Sequence, residues 1–229
     1  MKIIDNLKIP IDNHERITFI RVDPEDLNIT ILNIIKELNN FSWIYKFDKN
    51  YVREGFLAKA EGTAKELTDS LKKNIYNDIT KDTGEYVVSE LARESIINEL
   101  KYLDIPLAEL LGRKKKGNPG FDFHTVNDLN TIIFGEAKYL TNQNAYGSSL
   151  SQINSFIAKK KDIADLKLLD DFCNEEALEK VTQNIKGYAV AFSSKQQSTD
   201  ILVKNIKKNE NFKKLLNYEE IVIVAVNVW

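Results

Sequence analysis

The sequence predicts an α/β protein, a sheet with helices on its faces, and three observations lead there. From residue 85 onward the hydrophobic pattern reads helix, strand, strand, helix, strand, helix, strand. Two strand-like runs, FDFHTV and TIIFGEAKY, are separated only by the polar NDLN, which reads as a hairpin. Two late runs, GYAVAFSS (187–194) and EIVIVAVNV (220–228), are almost continuously apolar, as strands covered on both faces are.

The elements follow in order. Residues 1–83 read as a separate layer, an N-terminal α/β extension with a regulatory or docking role. It holds a short apolar stretch at RITFIRVD, an amphipathic helix at DLNITILNIIKELNNF and the stretch YVREGFLAKAEGTAKELTDSLKKNIY. Gly84 breaks the pattern and starts a core at 84–229. A helix follows with Val88, Leu91, Ala92, Ile96, Leu100 and Leu103 at helical spacing, ending near Pro106. The loop GRKKKGNPG (112–120) holds three glycines, a proline and four consecutive cations, so it is neither helix nor strand. Beyond the hairpin, SSLSQINSFIAKKKDIADL places Leu150, Ile153, Ile157 and Ala164 on one helical face. A charged helical stretch from Ile201 to Leu216 joins the two late strands.

Composition narrows the function classes. The chain has 229 residues, 43% hydrophobic and 29% charged, enough for one full core. Its 32 basic and 34 acidic residues give a net charge of -2, so any polyanion binding comes from local patches. The single cysteine, Cys173, precludes an internal disulfide and suits a reducing compartment. Nothing approaches the roughly 18 apolar residues of a membrane span, and no signal-peptide pattern opens the chain. A cytoplasmic protein with no membrane partner is expected. There is no Gly-rich phosphate loop, no GxSxG and no Cys/His pair with metal spacing, which removes nucleoside-triphosphatase, serine-hydrolase and zinc-finger readings.

The hairpin carries charge where apolar residues are expected. Strand alternation projects Glu136 and Lys138 together, and Asp122 with His124 on the neighbouring strand. A three-residue loop centred on Leu129 sets Asn127 against Thr131 and Asp122 opposite Glu136, at cross-strand Cβ distances of about 5 Å. Acidic-x-Lys occurs three times, at Glu99/Lys101, Glu136/Lys138 and Asp165/Lys167, but the first and third fall on predicted helices, where residues two apart diverge by about 200°. Burying such groups unpaired costs several kcal/mol each, so they neutralise one another or hold an ion. Oxygen ligands with few histidines indicate Mg²⁺ or Mn²⁺ and not zinc. A structural ion pair at the rim of the sheet is the alternative.

An acidic residue in PGFD (119–122), an acidic-x-Lys in GEAK (135–138) and a preceding helix with a glutamate resemble the PD-(D/E)xK nuclease superfamily. The resemblance covers residues 84–229 and implies a restriction-endonuclease-like core; Pro119 departs from the pattern, standing three residues before Asp122. The longer run LLGRKKKGNPGFDFH…IIFGEAKY…SSLSQI is most similar to the nuclease subunits of Hachiman antiphage defence systems, the HamA family. The resemblance implies a metal-dependent DNA endonuclease restrained by a helicase partner of HamB type. Asp122, Glu136 and the Ala137 carbonyl would hold Mg²⁺ or Mn²⁺, and Lys138 would act on the attacking water or the phosphate. A helix glutamate, Glu90 with Glu94 as the alternative, would complete the site. Gln152 and His124 would face the substrate, and Arg113, Lys114, Lys115 and Lys116 would clamp phosphates. Rival readings are a stand-alone restriction-type endonuclease and a non-catalytic α/β module in which Glu136 and Lys138 form a structural pair.

Overall fold

The computed structural model describes residues 1–12, 14–73, 75, 80–112, 120–195 and 197–227. Its strands are β1 (Lys2–Lys8), β2 (Ile17–Asp23), β3 (Phe123–Val126), β4 (Ile132–Lys138), β5 (Gly187–Ser194) and β6 (Glu220–Asn227). They form one sheet in the order β1-β2-β6-β5-β4-β3. The inner pairs β2/β6, β6/β5 and β5/β4 are parallel, and the outer pairs β1/β2 and β4/β3 are antiparallel. The protein is therefore α/β with a mixed six-stranded sheet, as the order of elements predicted. Among the described residues no helix is long and apolar enough to cross a membrane.

Both faces of the sheet are covered. On β5 and β6 successive side chains alternate between two cores: Tyr188, Val190, Phe192, Ile221 and Ile223 on one side, Ala189, Ala191, Val222 and Val224 on the other. On the second side lie α1 (Leu27–Leu38) and α3 (Lys81–Leu100); on the first lie α4 (Tyr146–Ala158), α5 (Lys161–Leu169), α6 (Glu175–Thr182), α7 (Thr199–Lys208) and α8 (Glu210–Leu215). The long helix α2 (Asn50–Lys72) contributes to both cores, with Phe56 and Ala60 in one and Ala64, Leu67 and Leu71 in the other.

Several expectations need correction. Residues 1–83 are not a separate layer: β2 hydrogen-bonds to β6, and Ile17 and Phe19 sit in one core with Ile20 and Val22 in the other. The boundary expected at Gly84 falls inside α3. Gly84 does not break that helix because the ring of Tyr139 lies against it, where a Cβ would stand 2.3 Å from the ring. α3 stops at Leu100, ahead of Pro106, with Lys101 in the left-handed region as its cap, which leaves Leu103 exposed. The single helix expected across Leu150 to Ala164 is two, broken at Lys160 (φ 52°), so Ala164 faces solvent.

Candidate active site

The β3–β4 hairpin has the expected register. Pairs run from Phe123/Gly135 to Val126/Ile132, and Asn127 N donates to Thr131 O at 3.0 Å. The turn is held locally, since the Asn127 side-chain oxygen accepts from Leu129 N and Thr131 N, both at 2.9 Å. Regular pairing stops one step short of Asp122 and Glu136. Phe121 packs into one core and Phe123 into the other, so alternation fails at Asp122. Asp122 N donates to Gly135 O (2.8 Å), and its carboxylate accepts from Ala137 N (2.8 Å).

That hydrogen bond draws Asp122 to the residue between Glu136 and Lys138. Lys138 Nζ lies 2.8 Å from Glu136 Oε1 and 3.5 Å from Glu85 Oε2 on α3. Glu136 is 1% exposed and the Lys138 side chain 14%. The backbone oxygen of Glu136 accepts from Ser149 Oγ on α4 at 2.9 Å, which fixes the end of β4 from the other side. Asp122, Glu136, Lys138 and Gln152 line one open cavity of about 710 Å³, together with Glu85, Ser89 and Glu109.

The electrostatics follow from this crowding. Burial opposes the charge on Lys138, but Glu136, Asp122 and Glu85 outweigh it and raise its pKa. Glu85 is pushed up first by burial and further by Asp122, while Lys138 pulls it back. Carboxylates thus face one another across a site in which positive charge is favoured.

Of the residues predicted from sequence, the structure brings Asp122, Glu136, Lys138, Ala137 and Gln152 together. It does not bring Glu90 there. Glu90 accepts from Arg93 Nε (2.9 Å) and Nη2 (2.7 Å), a buried bidentate pair facing other cavities. Glu94 lines one of those cavities too, with its pKa raised by burial and by Glu90. The helix carboxylate at the cleft is Glu85, five residues before Glu90 and so about 140° round the helix. Fixing the helix phase on Val88, Leu91 and Ala92 would have separated the two glutamates; proximity to the helix start alone did not. His124 does not share Asp122's site: fully buried, it sets Nε2 3.2 Å from Asp165 Oδ2 and its ring edge-on to Phe134. The broken alternation at Asp122 is the reason. Arg113, Lys114, Lys115 and Lys116 lie outside the described residues.

The donor chemistry at the cleft fits a hard divalent cation, since carboxylate and carbonyl oxygens line it without sulfur or imidazole. Ala137 turns its N–H toward Asp122, and the N–H and C=O of one strand residue point to the same side. Among the described residues no three His, Cys, Asp or Glu side chains are placed to hold a metal ion. Asp122, Glu136 and the Ala137 carbonyl are the groups at the end of β4 that could hold such an ion, with water completing its shell, as Mg²⁺ ordinarily allows. No family model matches the chain, and no curated protein or solved structure matches it.

Proposed function

We propose that the cleft hydrolyses phosphodiester bonds of DNA with Mg²⁺ or Mn²⁺, as a PD-(D/E)xK nuclease with a restriction-endonuclease-like core. One observation carries the reading: two carboxylates from adjacent strands and a lysine meet at the end of β4, with Glu136 held 2.8 Å from Lys138 and Asp122 bound to the intervening Ala137 N–H. When bound, the cation polarises a phosphate oxygen and acidifies a coordinated water. Asp122 and Glu136 supply its charged ligands. Lys138 would offset the negative charge that builds on the phosphate oxygens and the leaving oxygen as a water oxygen bonds to phosphorus and the P–O bond to the leaving group breaks. Glu85 holds the other side of the Lys138 ammonium and so aims it, while Gln152 offers an amide to the substrate from α4. The near-neutral net charge suits an enzyme delivered to DNA by a partner, which the likeness to Hachiman nucleases makes a helicase in an antiviral defence system.

The same 2.8 Å contact favours a second reading, a structural ion pair without catalysis. Near-isosteric changes separate the two. Asp122→Asn and Glu136→Gln keep the packing but remove the ligand charge, so Mg²⁺-dependent cleavage of supercoiled plasmid should fall roughly 100-fold or more. Wild-type protein that fails to nick plasmid at any Mg²⁺ or Mn²⁺ concentration, alone or with its partner, would leave only the structural reading.

A further inference from the structure

The slip at Asp122 changes the partners of two backbone donors. Continued regularly from Phe123/Gly135, the β3–β4 register would set Phe121 against Ala137. Both N–H groups turn to carboxylates instead: Ala137 N donates to Asp122 (2.8 Å), and Phe121 N donates to Asp165 Oδ2 on α5 (3.1 Å). The same Asp165 oxygen lies 3.2 Å from His124 Nε2. Asp165 thus grips the strand on both sides of Asp122, once by its backbone and once by a side chain. The grip is buried, with Asp165 6% exposed and His124 fully covered, and neither residue lines the cleft. A buried N–H stripped of its acceptor bears the full cost of its desolvation, so a strand without Asp165 moves to find another. Regular pairing with β4 offers one, and adopting it takes the Asp122 carboxylate off Ala137 N.

We propose that Asp165 is a positioning residue of the cleft: it holds the slip at the start of β3 that delivers the Asp122 carboxylate to the end of β4. The hold rests on the nuclease reading for its purpose, but it is a property of the strand and can be read without metal. A matched control lies on the same helix. Asp162, about one turn earlier, is also a buried carboxylate, 2.6 Å from Lys186 Nζ and 3.0 Å from Tyr188 Oη. Both partners lie at the start of β5, at the end of the sheet away from the cleft.

The experiment compares full-length wild type, Asp165→Leu, which removes both oxygens at similar volume, Asp165→Asn, which keeps one oxygen without the charge, and the control Asp162→Asn. Amide hydrogen exchange is followed by NMR in EDTA as the ratio of the Ala137 rate to that of Ile133, which faces Thr125 in the same ladder. The ratio cancels any loss of global stability and reads the Asp122 contact alone. Mn²⁺ affinity, by EPR, and plasmid cleavage are read separately. The hold predicts a ratio raised about tenfold in Asp165→Leu, about threefold in Asp165→Asn and less than about twofold in the control. Mn²⁺ affinity should fall about tenfold in Asp165→Leu and stay at the wild-type value in Asp162→Asn. Ratios within about twofold of wild type in both Asp165 variants, or an equal rise in the control, overturn the hold. Should Asp165→Leu give no cooperative melt, Asp165→Asn decides alone against the same control. A raised ratio with no Mn²⁺ binding and no cleavage by the wild type keeps the hold and removes the nuclease, whereas wild-type cleavage with an unmoved ratio does the reverse.

Discussion

Replacing Lys138 by Met tests how the cleft is held together. The ammonium lies 2.8 Å from Glu136 Oε1, and Glu136 is 1% exposed. At an effective dielectric of about 20, that contact contributes roughly 6 kcal/mol of attraction, offset by the cost of burying both ions. Removing one partner of a buried pair typically costs about 3–5 kcal/mol, and the lower end applies because Met preserves the stem of the side chain. For a chain of this size about 3 kcal/mol lowers Tm by about 6–12 °C. Without the ammonium, Glu85, Asp122 and Glu136 repel one another unrelieved, and protonation is the release. The deficit at pH 7 should therefore shrink by pH 5, read by thermal melts of both proteins across that range. In the wild type, Lys138 has a raised pKa, so its contribution is full at neutral pH and is lost only as pH climbs past the ordinary value of 10.5. Glu85, also raised, favours folding while protonated, and that contribution is lost as pH rises through its own pKa. A Tm drop below about 2 °C at pH 7, or an equal drop at pH 5, would show that Lys138 is not compensating these carboxylates.

Two further outcomes are expected. Glu85→Gln should reduce metal-dependent cleavage with little change in Tm, whereas Glu90→Gln weakens the bidentate Arg93 contact and costs about 1–3 kcal/mol of stability with cleavage retained; a reversed pattern would return the helix carboxylate to Glu90. Gly84→Ala, which in an exposed helix would stabilise by about 1 kcal/mol, should instead destabilise by about 1–3 kcal/mol and impair cleavage, because its Cβ meets the buried ring of Tyr139 next to Lys138; a raised Tm would refute that.

What could be read in the sequence was what local chemistry decides. The hairpin register follows from Asn127, whose side chain caps its own turn, and from Asn130 in the left-handed region (φ 61°), both within the NDLN loop. Strands β5 and β6 were visible because parallel strands covered on both faces are apolar throughout. Long-range choices left no local trace. β2 lies beside β6 through pairs such as Ile17/Ile221, and nothing near RITFIRVD specifies that partner. The break at Lys160 was hidden because lysine is a good helix former, and the slip at Asp122 because period-two alternation leaves no room for one extra residue.

The position of the cleft follows from strand polarity. Glu136 and Lys138 end β4, whose parallel neighbours β5 and β6 point the same way, and in such sheets ligands gather beyond the carboxyl ends. β3 runs antiparallel to β4, so its first residues lie at the same end and bring Asp122 with them. α3 starts there too: Gly84 touches Tyr139 just past β4, while beyond its other end Leu103 N donates to Val126 O at the end of β3. The helix thus turns its amino end toward the cleft, where its dipole favours negative charge. With the axis pinned by Gly84 and Tyr139, only the phase decides which glutamate faces Lys138. Val88, Leu91 and Ala92 in the core settle that phase for Glu85 and Ser89, and send Glu90 to Arg93. A residue inserted into α3 between Glu85 and Val88 would turn Glu85 by about 100° against that core and separate it from Lys138, with every local propensity unchanged.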